Sequence, residues 1–259
     1  VDYVKYQYER ALMTSDTAGF FDTYDSAYRT FVALDSYKDS NAVDWQDEVF
    51  GRTAFNQTHN ISVTGGNDKA QFTLGYTHND EDAIMLNSSF KRDLINLKIN
   101  HKFNKIIKAG IAARYTDQLV NGAGVSASKE GQGQNKLRNT IKYRPFIPSK
   151  LNIDDFDESV FDETGGNGLN IYNPVLLAYS EYKKKYTKIY NISGNIDIAF
   201  TKYLSFIIIF GLNNTNNESL EHYNKYTSVV RGDAGANGLP VAIYNYDEKI
   251  SKNNSNVLT

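Results

Sequence analysis

Between residues 187 and 214 apolar side chains fall on every second position in two runs joined by the tight turn Thr201-Lys202-Tyr203. In the first run Ile192, Gly194, Ile196, Ile198 and Phe200 alternate with Asn191, Ser193, Asn195, Asp197 and Ala199. In the second, Leu204, Phe206, Ile208, Phe210 and Leu212 alternate with Ser205, Ile207, Ile209, Gly211 and Asn213. Successive side chains of a strand point to opposite faces, so the spacing predicts a hairpin with one apolar face and one largely polar face. Each run reaches the roughly 9–11 residues that a tilted strand needs to cross a bilayer, whereas soluble strands average about 5–6. The expected fold is all-β, an antiparallel transmembrane β-barrel segment with lipid on one side and water or a plug on the other.

The pattern recurs earlier. Ile95, Leu97, Ile99 and Phe103 alternate with Leu94, Asn96, Lys98, Asn100 and Lys102; after a turn at Asn104-Lys105, Ile107, Ala109, Ile111, Ala113 and Tyr115 alternate with Lys108, Gly110, Ala112, Arg114 and Thr116. A Lys or Arg facing lipid at the bilayer midplane costs roughly 2–4 kcal/mol, so charge fixes the register. Ile95, Leu97, Ile99, Ile107, Ile111, Ile192, Ile196, Ile198, Phe206, Ile208 and Phe210 are expected to face lipid. Asn96, Lys98, Asn100, Lys108, Arg114, Asn191, Asn195 and Asp197 are expected to face the lumen. His101 falls on the apolar face beside a turn and reads as interfacial. A weaker pair runs from His59 to Thr64 and, after Gly65-Gly66-Asn67-Asp68, from Ala70 to Thr77 with Phe72, Leu74 and Tyr76 on one side.

Connections alternate in length. Short turns at 65–69, 103–106 and 200–204 contrast with longer segments at 78–90, 117–186 and 215–247, the last two being the long extracellular loops of a barrel of which about six strands are present. Residues 55–259 are read as this partial barrel. Residues 1–54 are read as a helical extracellular loop region, with Val4, Tyr8, Ala11 and Leu12 on one helical face, a second stretch through Tyr24, Ala27, Tyr28, Phe31 and Leu34, and a short turn over Val43–Phe50. Phe103, Phe200 and Tyr203 are placed at the periplasmic rim, with Tyr76 and Tyr115 near the outer one. The absence of a leader, and an end at Asn256-Val257-Leu258-Thr259 that reads as the start of a strand, suggest an internal piece of a longer chain.

Composition closes several alternatives. A net charge of −2 removes the electrostatic case for nucleic acid binding. A mean hydropathy of −0.51 and the lack of a run of about 18 apolar residues argue against helical membrane spans, a test that barrel strands escape because half their residues are polar. With no cysteine there is neither a disulfide framework nor a thiolate metal site.

Several segments together carry a resemblance. Asp44-Trp45-Gln46-Asp47-Glu48-Val49-Phe50, His59-Asn60-Ile61-Ser62-Val63-Thr64-Gly65-Gly66-Asn67, Leu74-Gly75-Tyr76, Phe90-Lys91-Arg92 and Tyr172-Asn173-Pro174-Val175 occur in the order found in the early barrel region of SusC/RagA-type TonB-linked outer-membrane transporters, which the chain resembles from about residue 40 onward. The resemblance implies a barrel of about 22 strands with an N-terminal plug. It also implies a SusD-like surface lipoprotein as a lid, the TonB complex as a partner through a region outside this chain, oligosaccharide or peptide cargo, and the outer membrane of a Gram-negative bacterium. Residues 1–50 would then be the first extracellular loop and 55–64 the second strand.

Chemistry beyond transport is not signalled. His59, His78, His101 and His222 have no ligand spacing, and Asp154-Asp155-Phe156-Asp157-Glu158 lacks the glycine and distal Glu of a calcium loop. Asn121-Gly122-Ala123-Gly124-Val125 has no following Lys-Ser/Thr pair for a phosphate. No catalytic, metal or cofactor residues are expected, and the chain is not read as an enzyme. Lys183-Lys184-Lys185 reads as the cap of an exposed strand end, with contact to acidic outer-leaflet headgroups as the alternative. Tyr143, Tyr172, Tyr179 and Tyr223 are candidates for ligand or partner contact, because tyrosine offers a rigid apolar body with a polar tip. The competing fold is a secreted carbohydrate-binding β-sandwich, in which the apolar faces would be buried under a second sheet.

Overall fold

The computed structural model describes residues 2–15, 17–18, 41–122, 135–143, 146–147, 173–225, 227, 229–230 and 237–259. In chain order these form α1 (Asp2–Met13), β1 (Asn41–Ala42), α2 (Trp45–Phe50), β2 (Asn56–Gly66), β3 (Ala70–Asp82), β4 (Ser89–Lys102), β5 (Ile107–Asn121), α3 (Lys136–Lys142), β6 (Phe146–Ile147), α4 (Pro174–Ser180), β7 (Glu181–Ala199), β8 (Ser205–Tyr223) and β9 (Val241–Leu258). Seven strands make one antiparallel sheet in the order β2-β3-β4-β5-β7-β8-β9, each beside its nearest strand in the chain; β1 and β6 pair separately. Within the described residues the sheet does not close on itself. Its two outermost strands are β2 and β9.

Two short turns use the same device. Asn67 Oδ1 accepts from the backbone N–H groups of Lys69 and Ala70 at 2.8 and 2.9 Å, and Asn104 Oδ1 accepts from those of Ile106 and Ile107 at 2.7 and 2.8 Å. An asparagine that folds back on the following amides replaces the hydrogen bonds a ladder can no longer supply at its end. In the third turn Thr201 Oγ1 accepts from the Tyr203 amide at 3.1 Å.

Strands are longer than the apolar alternation indicates. β7 and β8 each have 19 residues and β9 has 18, against roughly 9–11 needed to cross hydrocarbon. The connection expected at 117–186 therefore spans 122–180, the one expected at 215–247 spans 224–240, and the one at 78–90 shrinks to 83–88. The sheet holds seven strands where about six were expected, and residues 256–258 end β9 rather than begin a strand. Apolar alternation tracks contact with an apolar environment, while backbone pairing continues through polar residues such as Lys183–Thr187 and Thr215–Glu218.

At one end of the sheet the connections share a small core. Asp44 caps α2 by accepting from the Gln46 and Asp47 amides at 3.0 and 3.1 Å. The helix then buries Trp45 and Val49 against Met85 of the β3–β4 connection and Val175 of α4, with Leu86, Phe50, Val43 and Tyr143 around them. The Leu86 amide donates to the Val49 carbonyl at 3.0 Å, and Asn87 Nδ2 donates to the Ala178 carbonyl at 3.3 Å. α4 begins as its sequence indicates, with Asn173 capping the Val175 and Leu176 amides and Pro174 in the first turn. A buried ion pair, Lys136 Nζ to Glu181 Oε2 at 2.8 Å, ties α3 to the start of β7. In α1, Ala11 is buried but Leu12 is exposed, so the expected apolar face is narrower than the spacing indicated. The stretch from Tyr24 to Leu34 and the acidic run 154–158 lie outside the described residues.

Candidate functional site

Register converts the alternation into two faces. Directly paired residues of an antiparallel ladder point the same way. Ile61 pairs with Tyr76, Tyr76 with Ile95, Ile95 with Tyr115 and Tyr115 with Tyr190. Toward the turns, Val63, Leu74, Leu97, Ala113, Ile192 and Leu212 form the next row, followed by Phe72, Ile99, Ile111, Gly194 and Phe210, and then by Ala109, Ile196 and Ile208. Ile107, Ile198 and Phe206 lie nearest the turns. The expected apolar residues thus share one face in mutual register across β4, β5, β7 and β8, and β2 and β3 extend it with Ile61, Val63, Phe72, Leu74 and Tyr76.

No second layer covers this face among the described residues. Ile61 is 66% exposed, Ile95 41% and Ile111 42%, so the burial that a sandwich requires is not found. From Ile107 to Tyr115 the band rises about 20 Å, at roughly 3.3 Å per residue and a tilt near 40°. Its turn end is marked by Phe103, Phe200 and Tyr203, all exposed, and His101 lies there with its ring edge-on to Phe103 at 4.5 Å. Its other end is a row of tyrosines. Tyr115 and Tyr190 have ring centroids 4.9 Å apart, with Tyr76 in the same row. The spacing marks Tyr76 and Tyr115 for this end; Tyr190, two positions before Ile192 in the same alternation, joins them without having been singled out by the sequence pattern.

Immediately beyond the tyrosines the same face turns charged. His78, Asp93, Asp117 and Lys188 form the next row, and Asp80 and Lys91 pair in the one after it. Asp93 Oδ1 accepts from the Tyr76 hydroxyl at 2.5 Å and contacts His78 Nδ1 at 2.8 Å. Lys91 Nζ donates to Asp80 Oδ2 at 2.9 Å. The change occurs within one row on each of β3, β4 and β5: Tyr76 to His78, Ile95 to Asp93 and Tyr115 to Asp117.

The opposite face carries all eight residues expected there. Asn96, Arg114 and Asn191 lie in one row, Asn100, Gly110 and Asn195 in the second below it, and Lys108 and Asp197 nearest the turns; Lys98 lies between the first two rows. Arg114 Nε donates to Asn96 Oδ1 at 2.8 Å, Asn191 Nδ2 to Asn213 Oδ1 at 3.0 Å, and Asn195 Nδ2 to Asp197 Oδ2 at 3.0 Å. Gly110 makes room for two amides. A Cβ there would stand 2.7 Å from Asn195 Oδ1 and 2.8 Å from Asn100 Oδ1. Cross-strand amide, hydroxyl and guanidinium pairs present donors and acceptors with few apolar side chains on β2–β5, a surface suited to water or polar protein segments. Farther from the turns it continues as Thr58, Asn79 and Arg92, linked by bonds of 2.8 to 3.3 Å.

The tyrosine candidates separate. Tyr143 packs edge-on against Trp45 at 5.1 Å and belongs to the loop core. Tyr223 is 1% exposed; its hydroxyl donates to Glu221 at 2.6 Å and Lys183 lies over its ring, so it is a packing residue and not a presented one. Tyr179 is exposed, and Tyr172 lies outside the described residues. The lysine run also divides: Lys184 takes the apolar face's side of β7, and Lys183 and Lys185 the other. The Tyr182 hydroxyl raises the Lys184 pKa by hydrogen bonding to its ammonium. No helix among the described residues is long and apolar enough to cross a membrane, and no group of three or more metal-ligating side chains occurs among them.

β9 breaks the band. On the apolar face it sets Lys252 beside Leu212, Asn254 beside Phe210 and Asn256 beside Ile208.

No protein-family model matches the chain. TonB-dependent receptor P3 of Formosa agariphila is 24% identical over 240 residues, covering 92% of this chain and 22% of that protein. TonB-dependent receptor P39 of the same organism is 26% identical over 196 residues, covering 76% of this chain and 17% of its own length. The chain thus spans about a fifth of these relatives. The RagAB peptide importer superposes with TM-scores of 0.61 in its closed-closed state and 0.62 in its open-open state, at 16% identity, with 92% of this chain and 26% of that one covered in both. These relatives are receptors and importers, not enzymes. Ordered motifs, an uncovered apolar band across six strands and these two kinds of likeness agree: the chain is similar to TonB-dependent receptors of the SusC/RagA kind, and its sheet has the fold of part of such a barrel wall.

Proposed function

We propose that this chain is wall of an outer-membrane importer in a Gram-negative bacterium, with its apolar face against hydrocarbon and its polar face toward a bore filled by plug and water. The residues assigned to lipid are Ile95, Leu97, Ile99, Ile107, Ile111, Ile192, Ile196, Ile198, Phe206, Ile208 and Phe210. Those assigned to the bore are Asn96, Lys98, Asn100, Lys108, Arg114, Asn191, Asn195 and Asp197. The single observation carrying this reading is the band of exposed apolar side chains, bounded by aromatic residues at both ends and by charge beyond the tyrosines. A soluble surface rarely tolerates a continuous patch above a few hundred Å², whereas a bilayer requires one about 25 Å tall.

The turn end would face the periplasm, and the end with the shared loop core the outside. Cargo is proposed to be an oligosaccharide or peptide, taken up with a SusD-like lipoprotein and driven through the TonB complex. The likeness to TonB-dependent receptors and to the RagAB peptide importer supports this reading. Deleting the gene together with a neighbouring lipoprotein gene should abolish growth on one defined glycan or peptide source while sparing growth on glucose. Unimpaired growth across a full panel of such sources would defeat the importer reading.

A further inference from the structure

Four residues of the apolar face meet in one transverse row at its far rim: Asp82, Ser89, Asn121 and Lys184, contributed by β3, β4, β5 and β7 in direct register. They line a cleft of about 330 Å³ together with Arg52, Asn87, Ser88, Gly122, Tyr179, Glu181, Tyr182 and Lys183. Its walls are fixed by local chemistry. Gly122 leaves β5 at a φ of +96°, which only glycine adopts readily, and a Cβ there would stand 2.5 Å from Ser88 Oγ and 2.8 Å from the Asn87 carbonyl. Arg52 is held by two carbonyls, Nε to Ala83 and Nη2 to Ser88, both at 2.6 Å.

Three features of the cleft point to a ligand. Asn121 Nδ2 donates to Ser89 Oγ at 2.8 Å, while its buried Oδ1 has no partner. Turning the amide over would only exchange which end Ser89 satisfies, and a buried polar atom left unpaired costs about 1–3 kcal/mol. Tyr179 and Tyr182 expose their rings at the rim, and such rings accept the C–H faces of a sugar. Lys183 is turned to the other face, 3.6 Å from Glu221, and Glu181 is paired with Lys136, which leaves Arg52 and Lys184 against the single carboxylate of Asp82.

Position selects the source. Asp82, Ser89, Asn121, Lys184 and Tyr182 stand on the face assigned to lipid, so cargo in the bore does not pass them. Asn121 is six residues beyond Tyr115 on β5, about 15 Å higher at 3.3 Å per residue and a tilt near 40°. A phospholipid headgroup layer is only about 5–8 Å deep, and the oligosaccharide of a glycolipid reaches farther. We propose that this cleft holds the phosphorylated sugar headgroup of an outer-leaflet glycolipid against the outside of the barrel wall.

The proposal rests on the membrane-wall reading above, and its test separates the two. Full-length protein is reconstituted in phosphatidylcholine nanodiscs, and binding of purified lipopolysaccharide is compared with binding of its deacylated oligosaccharide. Tyr182→Ala and Lys184→Glu should each weaken lipopolysaccharide binding five- to tenfold, with unchanged heat-resistant barrel and cargo uptake. Lys185→Glu, next in sequence but on the opposite face, should leave binding intact. Equal binding by all three variants would overturn the proposal, and so would equal affinity for the free oligosaccharide, which would identify a site for soluble glycan instead. Failure of the wild-type protein to enter nanodiscs would strike the wall reading itself.

Discussion

At the scale of single residues, the two faces differ most sharply where neighbours in sequence point opposite ways. Ile196 pairs with Ala109 and Ile208 on the apolar face, while Asn195 pairs with Gly110 and Ile209 on the polar one and donates to Asp197. An arginine at Ile196, one row in from the turn end of the band, would present its charge to hydrocarbon at a cost between the roughly 2–4 kcal/mol of the midplane and the roughly 0–1 kcal/mol of the interface. The same side chain at Asn195 would project among amides and lysines. In the full-length protein Ile196→Arg should reduce the fraction of heat-resistant barrel on an unboiled gel at least several-fold, and Asn195→Arg should leave it near the wild-type value. Equal losses would contradict the face assignment. The same logic explains which residues were legible from the chain alone. A lysine or isoleucine within a strict alternation marks its side of the strand, so the nineteen residues divide between two opposite faces in mutual register. Tyr223 could not be read this way, because a tyrosine at a strand end is equally suited to packing and to presentation, and only its neighbours Glu221 and Lys183 decide.

At the scale of elements, the strand hairpins were legible wherever they pass through the apolar band and illegible beyond it. β9 shows the limit. Its sequence from Val241 to Leu258 has charged, amide or hydroxyl residues on both faces, so period-two hydropathy is absent, and its strand state follows from pairing along the whole of β8. Helix α2 was legible for a different reason, since Asp44 supplies a capping side chain and Trp45 and Val49 fall one turn apart. Its consequence was not: the spacing gives no sign that Met85 and Val175, far along the chain, complete the same core. That core makes a specific expectation. Trp45→Ala removes the largest side chain from it, a change that typically costs about 3–5 kcal/mol at a buried aromatic, while the ladders of β2–β9 keep their pairing. In intact outer membranes the variant should be cleaved by added protease within the connections at 83–88 or 122–180 at least tenfold faster than the wild type, with its heat-resistant sheet retained. Unchanged cleavage would mean that the connections are held by something other than this core.

At the scale of the whole molecule, β9 is where a partial wall and a complete barrel part company. Six strands keep the apolar face apolar, and the seventh sets Lys252, Asn254 and Asn256 into the same rows as Leu212, Phe210 and Ile208. Lys252 stands one row from the tyrosines and can extend its ammonium toward the interface along its own methylenes. Asn254 and Asn256 are deeper. Asn256 Nδ2 donates to Asn254 Oδ1 at 2.9 Å, which satisfies one donor and leaves the other amide groups of the pair to be met by protein or water. Hydrocarbon supplies neither, and an unsatisfied polar group there costs several kcal/mol. The outer side of β9 in the assembled protein is therefore expected to be covered by polypeptide over these rows, in contrast to β8. A nitroxide placed at Phe210 in the full-length protein in lipid should relax strongly with dissolved oxygen, the quencher that concentrates in hydrocarbon, and one placed at Asn254 should be protected from both oxygen and a water-soluble nickel complex. Strong oxygen relaxation at Asn254 would mean that the band tolerates a polar strand in open lipid, and the argument that charge and amides fix the register on β4, β5 and β7 would lose its force with it.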